Sequence, residues 1–480
     1  MAVDEYADIQ FFAKQKKVYP KSVSGRYRRL KWLAMAALLG IYYLSPLLRW
    51  DRGPFTPNQA ILIDMTNHRG YFFMFEIWPQ EVYYLTGILI FAAIGLFFAT
   101  ALLGRVWCGY ACPQTVWTDL FVWVEKMIQG DRNQRMKLDS APLSFEKIWK
   151  KLLTHALWIV IGLCTGGAWV FYFNDAPTLW DQIIHFDVPW SVGGWIVGLT
   201  ASTYVMAGYA REQVCTYMCP YARFQSAMFD QDTLIIGYDA DRGEPRGKHK
   251  SGQSWEGRGH CIDCSLCVQV CPTGIDIREG LQLPCIACGL CVDACNSVMD
   301  KLGLPPGLIR YDTNRNQKLR RLAAQMGQKF TESLRLIRPR TVYYAVILTV
   351  VGGLIVYGQL TRSLLELHVL HERSPLFVML SDGHVRNNYT IKILNKSHND
   401  REYRLEIKGL SGAMLEVVGA DKMDAAHLPV FANSVGEYRA MVIQSPDALP
   451  TARQNMQFII TDNATQDQVN HDSIFISAIE

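Results

Sequence analysis

The sequence predicts a multi-domain membrane protein that combines an α-helical bundle of about five transmembrane spans with a cysteine-rich α+β domain and an all-β C-terminal domain. Three observations predict this class. Half of the 480 residues are hydrophobic and only 19% are charged, a balance typical of membrane proteins with sizeable water-exposed parts. Eight of the 13 cysteines lie between Cys261 and Cys295. After about residue 361 the sequence changes to short alternating apolar runs.

Five apolar stretches are long enough to cross a bilayer, which takes about 20 helical residues. They cover 32–48, 83–104, 152–173, 191–209 and 341–358. The predicted domains follow from them: a membrane domain with the first four spans over 1–210, the cysteine-rich domain with a linker over 211–340, the fifth span over 341–360, and the all-β domain over 361–480.

Basic residues predict the orientation of these spans. Lys and Arg are concentrated in the N-terminal arm up to residue 31, in the loop 105–151 and just before span five, whereas the loop 174–190 has none. By the positive-inside rule the N-terminus and the 211–340 domain are cytoplasmic and the C-terminal domain lies outside. The absence of cysteines from the predicted outer segments agrees with this. No basic–aromatic array indicates nucleic acid as a partner.

Smaller segments also carry expectations. Residues 49–82 should form a β-hairpin around a polar turn at 67–70, and residues 317–336 an amphipathic helix. Short strands at 389–394, 403–407, 415–418, 438–443, 456–460 and 474–479 predict an immunoglobulin-like β-sandwich. His368 and His371 are better explained as an incidental pair than as metal ligands. Cys164 is expected to be a small buried apolar residue.

The cysteine-rich domain carries two matched runs. They read Cys261-x2-Cys264-x2-Cys267-x3-Cys271 and Cys285-x2-Cys288-x2-Cys291-x3-Cys295. This is the spacing of bacterial-type 2[4Fe–4S] ferredoxins, in which the fourth cysteine of each run ligates the other cluster. We therefore assign one cluster to Cys261, Cys264, Cys267 and Cys295, and the other to Cys285, Cys288, Cys291 and Cys271. Zinc sites usually use separated cysteine pairs, and a disulfide scaffold needs an oxidising compartment.

A second pair of motifs follows spans two and four: Cys108-x3-Cys112-Pro and Cys215-x3-Cys219-Pro, a parallel internal repeat. On a helix this spacing stacks two thiols on one face, and the proline can start a new helix. Soft thiolates favour Cu(I) and can undergo dithiol–disulfide chemistry. The neighbouring Arg105, Arg211 and Arg223 should lower the thiol pKa values. Structural cysteines and a third iron–sulfur cluster remain alternatives to a redox or metal-transfer site.

Around these residues the chain resembles the FixG/CcoG family (RdxA and RdxB type), membrane iron–sulfur proteins associated with assembly of cbb-type cytochrome c oxidase. The most specific pieces are 18–26, 104–119, 213–225, 243–247 and the two ferredoxin runs. The resemblance implies a multi-pass protein of the bacterial inner membrane whose immunoglobulin-like domain is periplasmic.

The resemblance also implies an oxidoreductase that reduces Cu(II) to Cu(I), with copper as substrate or transiently bound ion at Cys108, Cys112, Cys215 and Cys219. A cytoplasmic electron donor, a copper chaperone or transporter and oxidase assembly factors would be its partners. Two alternatives remain: a quinol-oxidising electron-transfer subunit similar to those of periplasmic nitrate reductase systems, and a non-catalytic oxidase assembly scaffold. The fifth span and its external β domain argue against the first of these.

Overall fold

The computed structural model describes residues 17–53, 56–249, 254–328, 330–418, 422–445 and 452–477. It divides into two compact units. One contains Gln59–Ile355 together with the segment that ends at Leu48, and the other contains Arg49–Asn58 and the chain from Val356 onwards. The start of the predicted basic arm before residue 17, and residues 478 and 479 of the last predicted strand, lie outside the described residues.

The first half of the chain is helical apart from one small sheet. Its elements are α1 (Arg26–Leu44), β1 (Ile61–Asp64), β2 (Arg69–Phe72), β3 (Phe75–Ile77), α2 (Tyr83–Leu103), α3 (Pro113–Gln129), α4 (Arg132–Ser140), α5 (Phe145–Phe171), α6 (Ala176–Ile184) and α7 (Trp190–Thr203). The predicted hairpin at 49–82 is confirmed as β1 and β2, which pair antiparallel around the polar turn, and β3 adds a third strand.

Four helical segments of the described chain are long and apolar enough to cross a membrane: Arg26–Leu47, Pro79–Leu103, Phe145–Phe171 and Pro339–Leu360. They coincide with predicted spans one, two, three and five. The fourth predicted span is divided, because α7 ends at Thr203 and the chain continues as a π-helix over Tyr204–Ala210. The number of spans and their orientation therefore stay predictions.

The cysteine-rich region is bracketed by two paired strands. It contains α8 (Pro220–Ala227), β4 (Ile235–Tyr238), α9 (Ala240–Gly243), α10 (Leu266–Gln269), α11 (Leu290–Lys301), β5 (Ile309–Asp312) and α12 (Asn314–Gln325). Strands β4 and β5 pair antiparallel, so the two ends of the region meet. Ile236 from β4 and Ile309 from β5 are buried in one core with Val292 of α11.

The predicted amphipathic helix over 317–336 is only half correct. Helix α12 ends at Gln325, and residues 330–338 are not helical before α13 (Pro339–Leu360) begins. Gly327 explains the break, because it adopts a φ of 65°, the left-handed conformation that commonly ends a helix.

The cysteine-rich region is anchored to the first membrane helix. Helix α1 has no capping side chain of its own. Asp293 of α11 takes that place, because its carboxylate accepts the backbone N–H groups of Tyr27 at 3.2 Å and Arg28 at 2.8 Å. Gly25 allows this approach, since a Cβ there would lie 2.3 Å from the Asp293 side chain.

The C-terminal region is a two-sheet sandwich. Its strands are β6 (Leu365–His371), β7 (Val378–Met379), β8 (Val385–Asn395), β9 (Arg401–Lys408), β10 (Met414–Val418), β11 (Lys422–Met423), β12 (Leu428–Val430), β13 (Ser434–Gln444), β14 (Arg453–Asp462) and β15 (Gln468–Ile476). One sheet has the order β11-β10-β13-β8-β6, with β7 also pairing β8, and the other the order β12-β9-β14-β15. Ile391 and Phe458, one from each sheet, share the buried core. The six predicted strands are confirmed within the described residues, and four further strands join them.

Candidate metal centres

The eight cysteines of the two runs line two neighbouring cavities. Cys261, Cys264, Cys267 and Cys295 line the first. Cys271, Cys285, Cys288 and Cys291 line the second, with Cys267 on the wall between the two. Each cavity thus receives three cysteines of one run and the last cysteine of the other.

The backbone around each cavity has an unusual conformation. Asp263 and Ser265, on either side of Cys264, have positive φ angles of 53° and 52°; Ala287 and Gly289 flank Cys288 in the same way, at 50° and 74°. Non-glycine residues adopt this region only where the surrounding fold enforces it. Alternation of left- and right-handed residues aims successive backbone N–H groups inward and forms an anion-binding concavity typical of iron–sulfur sites. Both loops therefore fit an anionic [4Fe–4S] cluster.

The set of cysteines at each cavity fits a [4Fe–4S] cluster, because two-cluster ferredoxins take three ligands from one run and the fourth from the other. Among the residues that the structure describes, no group of three His, Cys, Asp or Glu side chains is arranged to hold a single metal ion. Burial raises the pKa of the Cys267 thiol to about 11 and that of Cys285 to about 12, so loading of the sites must displace protons.

The repeated motifs both form π-helical turns, over Trp107–Ala111 and Val214–Met218. Cys112 donates its backbone N–H to the carbonyl five residues earlier at 2.9 Å, and Cys219 does so at 2.8 Å. The proline after each motif starts the next α-helix, as predicted. The prediction of α-helical stacking of the two thiols is wrong, because the wider turn changes their relative direction.

The fold brings both motifs to one place. The Cys108 thiol lies within electrostatic range of Cys112, Cys215 and Cys219, and the interaction with each of them raises the pKa of Cys108. Cys108 also donates a hydrogen bond to the Gln225 side chain at 3.2 Å. We call these four cysteines the thiol quartet. It joins the end of span two to the end of the fourth predicted span.

The predicted lowering of the thiol pKa values by arginines is wrong for Cys108 and Cys215. Burial raises the pKa of Cys108 to about 12 and that of Cys215 to about 11, although Arg105 opposes both shifts. Desolvation of the thiolate outweighs this one cation. Of the other two arginines, Arg211 is held at 2.6 Å by Glu125, and Arg223 is exposed.

The first motif packs directly on the loop 285–288, which carries two of the predicted cluster ligands at the second cavity. Arg105 donates to the carbonyls of Leu283 and Cys285. Tyr110 donates its hydroxyl to the carbonyl of Cys288 at 3.0 Å. Between them, a Cβ on Gly109 would lie only 2.7 Å from the carbonyl oxygen of Ile286, so the two backbones touch. This contact was not predicted; the only sign of it in the sequence is glycine inside the motif.

The second motif borders a cavity instead. This cavity, of about 200 Å³, is lined by Cys215 and Glu212 on one side and by Pro272 and Thr273, which follow Cys271, on another. The N-terminal arm, α1 and α3 supply most of the rest of its wall, with further residues from the start of α4 and from the segment 270–290. Cys215 is the member of the thiol quartet that lines it.

The remaining candidate residues stay apart from these sites. Cys164 on α5 is exposed rather than buried, so that expectation is wrong. His368 and His371 lie three positions apart on strand β6 and therefore point to opposite faces. His371 instead forms a 2.9 Å hydrogen bond with the side chain of Asn387.

Three family models match the chain. One described as a 4Fe-4S dicluster domain matches residues 210–314, and one described as the IG-like fold at the C-terminus of FixG matches residues 355–478. A third, described as a 4Fe-4S binding domain, matches residues 85–130, which contain Cys108 and Cys112.

Curated relatives match over most of their length. The nitrogen fixation protein FixG of Rhizobium meliloti is 47% identical over 441 residues, which cover 87% of this chain and 84% of the relative. The proteins RdxB and RdxA of Cereibacter sphaeroides are 44% and 47% identical and are aligned over 97% and 89% of both chains, respectively.

Proposed function

The chain belongs to the FixG/RdxA/RdxB family of membrane iron–sulfur electron-transfer proteins, and from that premise we propose that it is a cupric reductase. It reduces Cu(II) to Cu(I) at the thiol quartet, and two [4Fe–4S] clusters held by the eight ferredoxin-type cysteines would supply the electrons. The product serves assembly of the copper site of a cbb-type cytochrome c oxidase.

One observation carries this proposal. The Arg105 guanidinium donates a hydrogen bond to the carbonyl of Cys285 of the second cavity at 3.2 Å, and it lies within electrostatic range of Cys108, Cys215 and Cys219 of the thiol quartet. Cys108 itself packs against the core that contains Cys288. A single side chain therefore spans the gap between a predicted cluster ligand and the repeated motifs. Sulfur that can bind copper and sulfur that can bind a cluster thus share one microenvironment.

The residues also suggest a direction for the electron. The bound clusters would supply one-electron transfer. Cys264 of the first cavity is exposed, whereas Cys285 and Cys288 of the second are buried. A cytoplasmic electron donor can therefore approach the first cavity, and the second is the one that faces the thiol quartet.

The thiol quartet would act on copper in two ways: its thiols lose protons when they bind the ion, and the resulting thiolates prefer Cu(I). The raised pKa values of Cys108 and Cys215 keep both thiols protonated at neutral pH, so a copper ion that binds two sulfurs displaces two protons. The ion then takes one electron and becomes Cu(I), which thiolates hold better than they hold Cu(II). Release of Cu(I) then needs an acceptor that also binds this soft ion well, which is the part of a copper chaperone or transporter.

In this proposal the protein lies in the bacterial inner membrane. The N-terminus and the ferredoxin domain face the cytoplasm and its electron donor, and the β-sandwich faces the periplasm and the oxidase assembly factors. Reporter fusions after residues 140 and 360 test the two sides.

The central experiment uses protein purified without oxygen and reduced chemically, with the excess reductant removed. Cu(II) is added, and Cu(I) is measured with a Cu(I)-specific chelator. We expect Cys108→Ala and Cys215→Ala to slow Cu(I) formation by about tenfold or more, equivalent to ~1.4 kcal/mol of barrier. The control Cys164→Ala, a cysteine outside both sites, should match the wild type.

Other outcomes would favour other functions. Unchanged rates in both quartet variants would move copper reduction to the clusters themselves. Rapid reduction of added quinones without copper chemistry would favour the quinone-linked electron-transfer subunit, and failure to reduce either would favour the assembly scaffold. Iron analysis tests the third-cluster alternative, since two clusters give about eight irons per chain and three give about twelve.

A further inference from the structure

The two Cys-x3-Cys-Pro motifs are repeats in sequence but differ at the positions that decide their surroundings. Gly109 of the first motif corresponds to Thr216 of the second, and Arg105 corresponds to Glu212. Tyr110 and Tyr217 are the same residue at the same position, yet Tyr110 is 8% exposed and Tyr217 is 69% exposed. We therefore call the first motif, residues 108–112, the docked motif and the second motif, residues 215–219, the open motif.

The docked motif has the features of a rigid contact. The backbones of Gly109 and Ile286 meet at a separation that leaves no space for a methyl group. Hydrogen bonds from Arg105 and Tyr110 hold the carbonyls on either side of that contact, at Cys285 and Cys288. Since Cys108 immediately precedes Gly109, its sulfur is held next to a loop that supplies two ligands of the second cavity.

The open motif has the features of an access side. Cys215 and Glu212 line the cavity beside the quartet, and the Glu212 carboxylate is close enough to influence the Cys215 thiol. A carboxylate and a thiol are both metal-binding groups. At the position of Glu212 the docked motif carries Arg105, which would repel a metal ion.

The cavity wall is nevertheless rich in cations. Arg28 and Lys31 share Asp119, whereas Lys21 and Lys126 form no ion pair within the described part of the chain. This favours copper that arrives as a complex with anionic ligands over the hydrated dication.

We infer that the two motifs divide the reaction: the first motif receives the electron from the ferredoxin domain, and the second receives the copper through Cys215 and Glu212. The inference rests on the proposed function and adds a role for each half of the thiol quartet. One electron moves to Cu(II) from the pre-reduced protein, and the thiols that bind the ion release their protons to solvent.

The test compares variants of the two sides in the full-length, chemically reduced protein. The rate of Cu(I) formation is measured against the concentration of Cu(II) citrate, which separates the limiting rate from the half-saturating concentration. We expect Gly109→Ala to lower the limiting rate about tenfold with little change in half-saturation. Glu212→Gln should raise the half-saturating concentration several-fold with the limiting rate unchanged.

Two controls accompany these variants. Tyr110→Phe removes one hydrogen bond without adding volume, so it keeps the test valid if Gly109→Ala loses iron; we expect a smaller fall in the limiting rate. Its matched control is Tyr217→Phe at the exposed equivalent position, which should equal the wild type in both constants. Iron per chain is measured for every variant.

A second measurement does not depend on turnover. The protein is treated without oxygen with a small anionic methanethiosulfonate, and the modified cysteines are located by mass spectrometry. Cys215 should react before Cys108, and faster than it does with a cationic reagent of the same size. Equal labelling of the two cysteines would overturn the assignment of the open side.

One result would overturn the inference and leave the proposed function intact. In that result Cys108→Ala and Cys215→Ala reduce copper slowly, but Gly109→Ala and Glu212→Gln both change the same kinetic constant or leave both constants unchanged. If all four variants reduce copper like the wild type, copper reduction does not take place at the thiol quartet, and the inference fails together with that part of the proposed function. If the reduced wild-type protein forms no Cu(I), the proposed function itself fails.

Discussion

The division of the eight ferredoxin-type cysteines between two cavities can be tested by pairs of substitutions. Cys261 and Cys295 line the same cavity although they belong to different runs, whereas Cys261 and Cys271 belong to the same run but line different cavities. The electrostatic neighbours agree: Cys295 interacts with Cys261, and Cys271 interacts with Cys285. The two double variants should therefore lose different amounts of iron.

The expected magnitudes follow from four irons per cluster. Cys261→Ala with Cys295→Ala removes two ligands of one cluster and should leave about four irons per chain. Cys261→Ala with Cys271→Ala removes one ligand from each cluster and should leave close to none. If each run held its own cluster, the two results would be exchanged.

The assay is iron and acid-labile sulfide per chain in protein purified without oxygen, with Cys164→Ala as the control that should keep about eight irons. Electron paramagnetic resonance of the reduced protein shows whether the remaining cluster is intact. A Cys261/Cys295 variant without iron beside a Cys261/Cys271 variant with four irons would refute the assignment.

Three further predictions concern stability, measured by denaturant unfolding in detergent. Asp293→Ala removes the cap of α1 and should cost about 1–2 kcal/mol; a loss below about 0.5 kcal/mol would contradict that role. Burial of Asp139 opposes its ionisation, but hydrogen bonds led by the one from Lys151 outweigh burial and lower the pKa of Asp139 below the ordinary 3.8. The ionised carboxylate therefore stabilises the fold above about pH 4, and this stabilisation is lost as the pH falls further. Asp139→Asn should reduce the loss of stability in acid, and an acid unfolding profile equal to that of the wild type would contradict this role. Phe458→Ala should destabilise the β-sandwich by about 3–5 kcal/mol, whereas Phe431→Ala, at a 71% exposed position, should change it by less than about 0.5 kcal/mol.

Local patterns in the sequence were sufficient to predict the helices and strands whose formation depends on the spacing of their own apolar residues. Hydropathy located four of the helical segments, and alternation located β8, β9, β10, β13, β14 and β15. The pattern was less informative for β12, a three-residue strand that contains Pro429, since proline is usually confined to strand edges. Strand β6 also alternates, with Leu365, Leu367 and Val369 buried, but it was not among the predicted strands.

Properties that depend on distant neighbours could not be predicted in this way. The thiol pKa values are set by how deeply the motifs are buried, and the sequence shows only the arginines beside them. Arg211 illustrates the difference, because its partner Glu125 lies 86 residues away in the chain. The π-helical turns are a similar case, since the spacing Cys-x3-Cys-Pro is compatible with both an α and a π turn.

The difference between the two motifs of the repeat follows from the number of ferredoxin-type regions on which they can pack. An internal repeat predicts two equivalent motifs, and two equivalent motifs would need two equivalent partners. The described chain supplies one ferredoxin-type region, so at most one motif can pack on the loop 285–288. Substitutions that suit close packing, such as glycine at position 109, are useful only in that motif, and the other is free to carry Thr216 and Glu212. The residue differences within the repeat are therefore a consequence of unequal surroundings, and such differences can indicate which copy of a repeat carries an interface.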